Sequence, residues 1–227
     1  MRPLPAGTSR ALLAAVAALL VVALLGLAVH GGAGPVPRFD RAVSGASYAG
    51  DDRPGWLTAL LDVATAPGLS WVRAVVYLPV LGWLAVRRAW WTLAWVAVAV
   101  ALVSPLTSAL KELVGRPRPQ FADGGARYGS LSFPSGHSSG VATLVGVGLV
   151  LAWPLLAPAA RRRWTAAGGA LVLLVGLTRL WLGVHFPSDV LGGWCLGLGW
   201  TLLVAGAFGG LPGGRAALRP SAERLSA

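Results

Sequence analysis

Between Arg179 and Asp189 the chain reads Arg-Leu-Trp-Leu-Gly-Val-His-Phe-Pro-Ser-Asp, setting an arginine, a histidine and an aspartate within a few turns of one another. Only 12% of all residues are charged, and this segment joins two long apolar runs. Ionisable groups at the edge of a membrane span are costly to place and point to function. Two further polar clusters, Lys111 to Arg118 and Pro134 to His137, stand at similar apolar–polar junctions. Lys111, Arg118 and Arg179, gathered near a low-dielectric boundary, repel one another unless an anion joins them. A phosphate resolves that conflict, because its oxygens match arginine's planar fork. Pro134-Ser135-Gly136-His137 comes directly before an apolar helix, whose N-terminal N–H groups and dipole favour an anion. Gly136 allows close backbone approach, and Ser135 can donate through its hydroxyl.

Two of the three histidines, His137 and His185, stand at these junctions. Phosphoryl transfer without a metal needs a nucleophile, a proton donor for the leaving oxygen and cations for the equatorial oxygens. His185, with Asp189 four residues on, has the form of a base held by a carboxylate that fixes its tautomer and orientation. That leaves His137 as general acid and then as base for water. Taken singly, each residue has a plainer reading. His30 reads as a solvated interfacial histidine, Arg116 and Arg118 as loop charges, and Asp189 as a helix-start carboxylate stabilised by the dipole. The joint spacing is what favours a site.

The elements that must position these groups follow from hydropathy. The chain has 227 residues, 56% of them hydrophobic, with mean hydropathy +0.68. Apolar stretches of membrane-spanning length recur, so the class is an all-α, polytopic membrane helix bundle. Six transmembrane helices are expected: Ala11–Val29, Trp71–Val86, Ala89–Leu110, His137–Ala157, Trp164–Val184 and Asp189–Phe208. A short interfacial helix is expected over Trp56–Ala66, and residues 30–55, rich in Gly, Pro, Arg and Asp, read as a loop. The organisation is then an N-terminal helix and external loop (1–55), a catalytic membrane domain (56–208) and a disordered cytoplasmic tail (209–227). The first helix is read as retained rather than cleaved, since its apolar run is long enough to span.

The net charge of +11 does not point to nucleic acid, because the arginines fall in short groups between apolar runs and not on one basic face. Ten of the 19 basic residues lie in the N-terminus, the 87–88 and 161–163 turns and the C-terminal tail. The positive-inside rule places those segments in the cytoplasm and the three polar clusters at the outer face. Cys195, the sole cysteine, stands in an apolar run as a packing residue.

Lys111-x6-Arg118-Pro119, Pro134-Ser135-Gly136-His137 and Arg179-x5-His185-x3-Asp189 together resemble the three signature motifs of the type 2 phosphatidic acid phosphatase family. This is the lipid-phosphatase branch of a superfamily shared with vanadium haloperoxidases, and the resemblance covers roughly residues 56–208. The third motif usually opens Ser-Arg; here it is Thr178-Arg179, which keeps a hydroxyl. The resemblance implies a plasma-membrane phosphatase with no metal and no other cofactor. By similarity His185 attacks phosphorus to form a phosphohistidine, Asp189 orients it and His137 protonates the leaving group. Lys111, Arg118, Ser135, Gly136 and Arg179 hold the phosphate, and Arg116 is given no catalytic role.

The implied substrate is a membrane lipid phosphate or diphosphate, such as phosphatidic acid, phosphatidylglycerol phosphate or undecaprenyl diphosphate. A vanadate-dependent haloperoxidase is disfavoured by the spans, and a silent anion-binding protein or transporter by the intact pair of histidines and the aspartate. Gly136-x3-Gly140 and Gly193-x3-Gly197 are spaced for helix packing within or between chains, which leaves the oligomeric state open.

Overall fold

In lipid, a run of Ala, Leu and Val can satisfy its own backbone only by coiling into a helix. The computed structural model of the chain describes residues 6–121 and 129–219 and is helical throughout. Its α-helices are α1 (Ala6–His30), α2 (Pro35–Ser47), α3 (Gly55–Thr65), α4 (Ser70–Val86), α5 (Trp90–Val114), α6 (Gly136–Ala152), α7 (Pro158–Trp181) and α8 (Pro187–Phe208). Single 3-10 turns occupy Ala66–Gly68 and Trp153–Leu155.

Among the described residues five helices, α1, α5, α6 with its 3-10 turn, α7 and α8, are each long and apolar enough to cross a bilayer. Helices α3 and α4 reach that length and hydropathy only as a pair, bent by 45° at the 3-10 turn, which brings the total to six where the pair is taken as one span. The short helix expected over Trp56–Ala66 is present as α3, separated from α4 by the 3-10 turn and set at 45° to it. Boundaries also move. Helix α5 runs on through Lys111 to Gly115, which ends it in the left-handed conformation at φ 68°. Helix α7 begins at Pro158, so Arg161, Arg162 and Arg163 lie in its first turns.

The stretch 30–55 is not a plain loop, because residues 35–47 form α2. Its buried residues Pro37, Asp40 and Ser44 fall at i, i+3 and i+7, one helical face. That face is polar, so apolar periodicity carries no trace of it. Within the expected tail, residues 209–219 fold back on the bundle: Leu211 and Ala216 are buried, and Thr92 Oγ1 donates to the Ala216 carbonyl at 2.8 Å. Residues 220–227 lie outside the described residues.

Helix α8 is the spine, packed by α1, α5 and α6. Small residues let the backbones approach. A β-carbon on Gly193 would stand 2.5 Å from the Ser135 carbonyl, and one on Gly197 would stand 2.5 Å from that of Ser139. On the other side of α8, Gly199 meets Leu19 of α1, and Cys195 packs with the cluster around Val22 and Val114.

The helices alternate in direction. The C-terminal ends of α1, α5 and α7 therefore gather with the N-terminal ends of α6 and α8, linked by His30 Nδ1 to the Val114 carbonyl at 2.9 Å. So His30 is not merely solvated. At the opposite end lie Arg87, Arg88, Arg161 to Arg163 and Arg215. Exposed tryptophans ring both ends, Trp56 and Trp71 at the first and Trp83, Trp90, Trp91 and Trp164 at the other. Such belts mark the two membrane–water interfaces.

Candidate active site

Helix α7 ends at Trp181, and the chain turns through Gly183, at φ 66°, to bring His185 under the start of α8. A β-carbon on Gly183 would fall 2.6 Å from the ring of Tyr48 and 2.8 Å from that of Phe121, two rings stacked 3.9 Å apart. His185 is 2% exposed. Its Nδ1 lies 3.4 Å from Asp189 Oδ2, and its Nε2 lies 3.2 Å from Arg118 Nη1. A carboxylate only accepts and a guanidinium only donates. The tautomer is thereby set: Nδ1 carries the proton, and the Nε2 lone pair faces the cations. Burial pushes the His185 pKa down to about 3, with Asp189 opposing the drop and Arg118 and Arg179 adding to it.

Asp189 is fully buried at the third position of α8 and takes the Phe186 N–H at 2.8 Å on Oδ2. This is the helix-start carboxylate of the plainer reading, in the same side chain that faces His185. Ser132 Oγ also donates to Oδ2. Arg116 Nη1 holds Oδ1 at 2.7 Å.

The Pro134-to-His137 stretch enters α6 with Ser135 as N-cap, its hydroxyl accepting the Ser138 N–H at 3.4 Å. The Ser135 N–H donates to the Asp189 carbonyl at 2.9 Å, which joins the second and third motifs directly. At this helix start the N–H groups of Gly136 and His137 have no acceptor within the helix. Lys111, in the last turn of α5, donates to the carbonyls of Leu131 and Ser132. Arg118 reaches the carbonyls of Ser130 and Val184 at 2.8 and 2.7 Å. Arg179 is 4% exposed and bonds Thr65 Oγ1 at 3.1 Å. The charges of Arg179, Arg118 and Lys111 all act on His137, and those of Arg118, Asp189 and Arg179 act on Lys111. All eight residues singled out in the sequence thus meet at one end of the bundle. Thr178, the departure from the third motif, turns its hydroxyl back to the Val175 carbonyl at 2.6 Å.

Four residues escaped the sequence reading: Asp40, Arg116, Ser132 and Ser188. Arg116 reads in the sequence as a loop charge, yet it is 6% exposed and bridges Asp189 and Asp40. Ser132 and Ser188 carry no signal beyond adjacency to motif residues. Among the described residues, no group of three or more His, Cys, Asp or Glu side chains could hold a metal ion.

The sequence model of the PAP2 superfamily matches residues 89–210, more than half of the chain. The chain belongs to the PAP2 superfamily. Phosphatidylglycerophosphatase B of Bacillus subtilis is 34% identical to this PAP2 protein over 198 residues, 84% of this chain and 93% of the relative. A lipid A 1-phosphatase of Rhizobium johnstonii is 37% identical over 127 residues, 52% of this chain and 48% of the relative. Among solved structures, the PAP2-type phosphatidylglycerolphosphate phosphatase of Bacillus subtilis superposes with a TM-score of 0.72 at 30% identity, covering 85% of this chain and 94% of that one. Aquifex aeolicus LpxE shares the fold, with a TM-score of 0.52 at 23% identity. This PAP2 protein is a multi-pass membrane phosphatase of the integral-membrane branch, and its relatives are lipid phosphatases.

Proposed function

We propose that the protein hydrolyses the phosphate of a membrane lipid through a phosphohistidine on His185, with phosphatidylglycerol phosphate the first candidate substrate. The observation that carries this reading is the bracketed imidazole of His185, buried, with a carboxylate on Nδ1 and a guanidinium beside Nε2.

The chemistry is then direct. The Nε2 lone pair attacks phosphorus, a P–N bond forms and the P–O bond to the lipid breaks. His137 gives its proton to the leaving alkoxide. Water next attacks phosphorus and yields a proton to His137, the P–N bond breaks, and its electrons return to Nε2. Asp189 stabilises the imidazolium character at each stage. Lys111, Arg118 and Arg179, with Ser135 and the Gly136 amide, neutralise the phosphoryl oxygens and so act in place of a divalent ion.

The choice of substrate rests on the nearly full-length likeness to a phosphatidylglycerophosphatase. Phosphatidic acid and undecaprenyl diphosphate present the same phosphate on a lipid tail. The grouping of arginines at the end away from the site supports cytoplasmic termini and a site at the outer face of the plasma membrane.

The test is phosphate release by the purified chain in detergent with EDTA, on each of the three lipids. Release that resists EDTA and disappears in His185→Ala is the expected result, fastest on phosphatidylglycerol phosphate. Near-normal release by His185→Ala removes the nucleophile assignment.

A further inference from the structure

We propose that Arg116 and Asp40 position Asp189 against His185, Asp40 being the counterweight that keeps Arg116 from cancelling the Asp189 charge. The inference rests on the reading of His185 and Asp189 as the nucleophile pair.

The geometry is a closed buried network. Arg116 Nη1 donates to Asp189 Oδ1 and to Ser188 Oγ, both at 2.7 Å, and Nη2 donates to Asp40 Oδ2 at 2.7 Å. Ser188 Oγ donates to Asp40 Oδ2 at 2.5 Å, and the Ser188 N–H meets Asp40 Oδ1 at 3.0 Å. The guanidinium lies over the Phe186 ring, 4.0 Å from its centroid. Asp40 and Asp189 are both fully buried.

Asp189 faces His185 across 3.4 Å, too long for that contact to orient it alone. Its plane is set by the donors on its other sides, and Arg116 is the charged one. A buried guanidinium paired with a single carboxylate would leave a neutral couple with little pull on an imidazolium. Asp40 changes that balance: two carboxylates share one cation, so the cluster keeps a net negative charge where His185 becomes positive. Asp40 comes from α2, outside the span 89–210 matched to the superfamily. A part of the chain beyond that match thus supplies a charge to the site.

The experiment is steady-state kinetics of the full chain in detergent on phosphatidylglycerol phosphate. Arg116→Ala, Arg116→Lys and Asp40→Asn are measured alone and in an Asp189→Asn background. Arg116→Ala should lower kcat about 10²-fold, the scale on which partners orient a site ligand, and leave KM within about twofold. Arg116→Lys should restore part of the loss, and Asp40→Asn should cost about tenfold. In the Asp189→Asn background each should cost less than about threefold, because a residue acting through Asp189 has nothing left to orient.

Equal losses in both backgrounds, or a raised KM at unchanged kcat, overturn the proposal. Normal turnover by Arg116→Ala beside an inactive Asp189→Asn overturns it alone. Normal turnover by Asp189→Asn overturns the nucleophile pair as well. Should Arg116→Ala not fold, the double variant Arg116→Gln/Asp40→Asn removes the ion pairs to Arg116 with less charge imbalance, and the same kcat loss is expected of it.

Discussion

Gly68 lies flat against His137: a β-carbon added there would stand 2.7 Å from the histidine's Cβ and carbonyl oxygen and 2.8 Å from its Cα. Two of those three atoms are backbone, so no side-chain rotation relieves the clash. The 3-10 turn Ala66–Gly68, at the bend between α3 and α4, therefore sets the position of a histidine at the start of α6.

Gly68→Ala should displace His137 and reduce kcat, by as much as about 10²-fold if the shift approaches 1 Å. Overpacking at the same contact should cost roughly 1–3 kcal/mol of stability. Turnover assays and thermal melts of the purified variant measure both, and a variant with wild-type kcat would show that this contact does not position His137.

Gly193→Ala should do similar harm from the other side of α6. Its β-carbon would meet the Ser135 carbonyl at 2.5 Å and Ser138 Cβ at 2.7 Å, pushing the phosphate loop from Asp189. Gly169→Ala, in α7 with nothing within 4 Å, is the control and should be neutral or stabilising by roughly 0.5–1 kcal/mol. Melting temperatures that move alike in the two variants would argue against a close α6–α8 approach.

Arg118→Lys keeps the charge but loses the fork. Arg118 meets Ser130, Val184 and His185 at once, at 2.8, 2.7 and 3.2 Å, which a single ammonium cannot reproduce. A fall in kcat/KM of about 10²-fold is expected, the scale of one lost transition-state donor. Retention of kcat/KM would mean that charge alone suffices there.

His185 should stay neutral well into acid. With its pKa near 3, lowered chiefly by burial, it stays deprotonated at pH 5, where an unperturbed histidine is mostly charged. Nitrogen-15 NMR of labelled histidine, with His185→Ala for assignment, should show the Nδ1–H tautomer from pH 8 to pH 5. A titration near pH 6.5 would contradict the buried geometry. Unfolding exposes a histidine that binds a proton near pH 6.5, so the folded state holds this stabilising contribution above that pH and loses it as pH falls toward 3.

Hydropathy is a local property, and it revealed the membrane class, most of the spans and the apolar–polar junctions that carry the chemistry. The motif residues were legible for a related reason: charges are scarce in a bundle of apolar helices, so Lys111, Arg118, Arg179, His185 and Asp189 stand out by type and spacing. Helix α2 was not legible, since its buried face carries Pro37, Asp40 and Ser44 and gives no apolar rhythm. Arg116 and Arg118 look alike in the sequence, two residues apart in one Arg-Pro-Arg-Pro run. One meets His185 Nε2, and the other is buried between Asp40 and Asp189, with partners 76 and 73 residues away. Ion pairs over such separations, and the contact of Gly68 with His137, arise only when α2, the α3–α4 bend and the starts of α6 and α8 pack together. No local pattern encodes them, because each partner's energy depends on the burial that the others create.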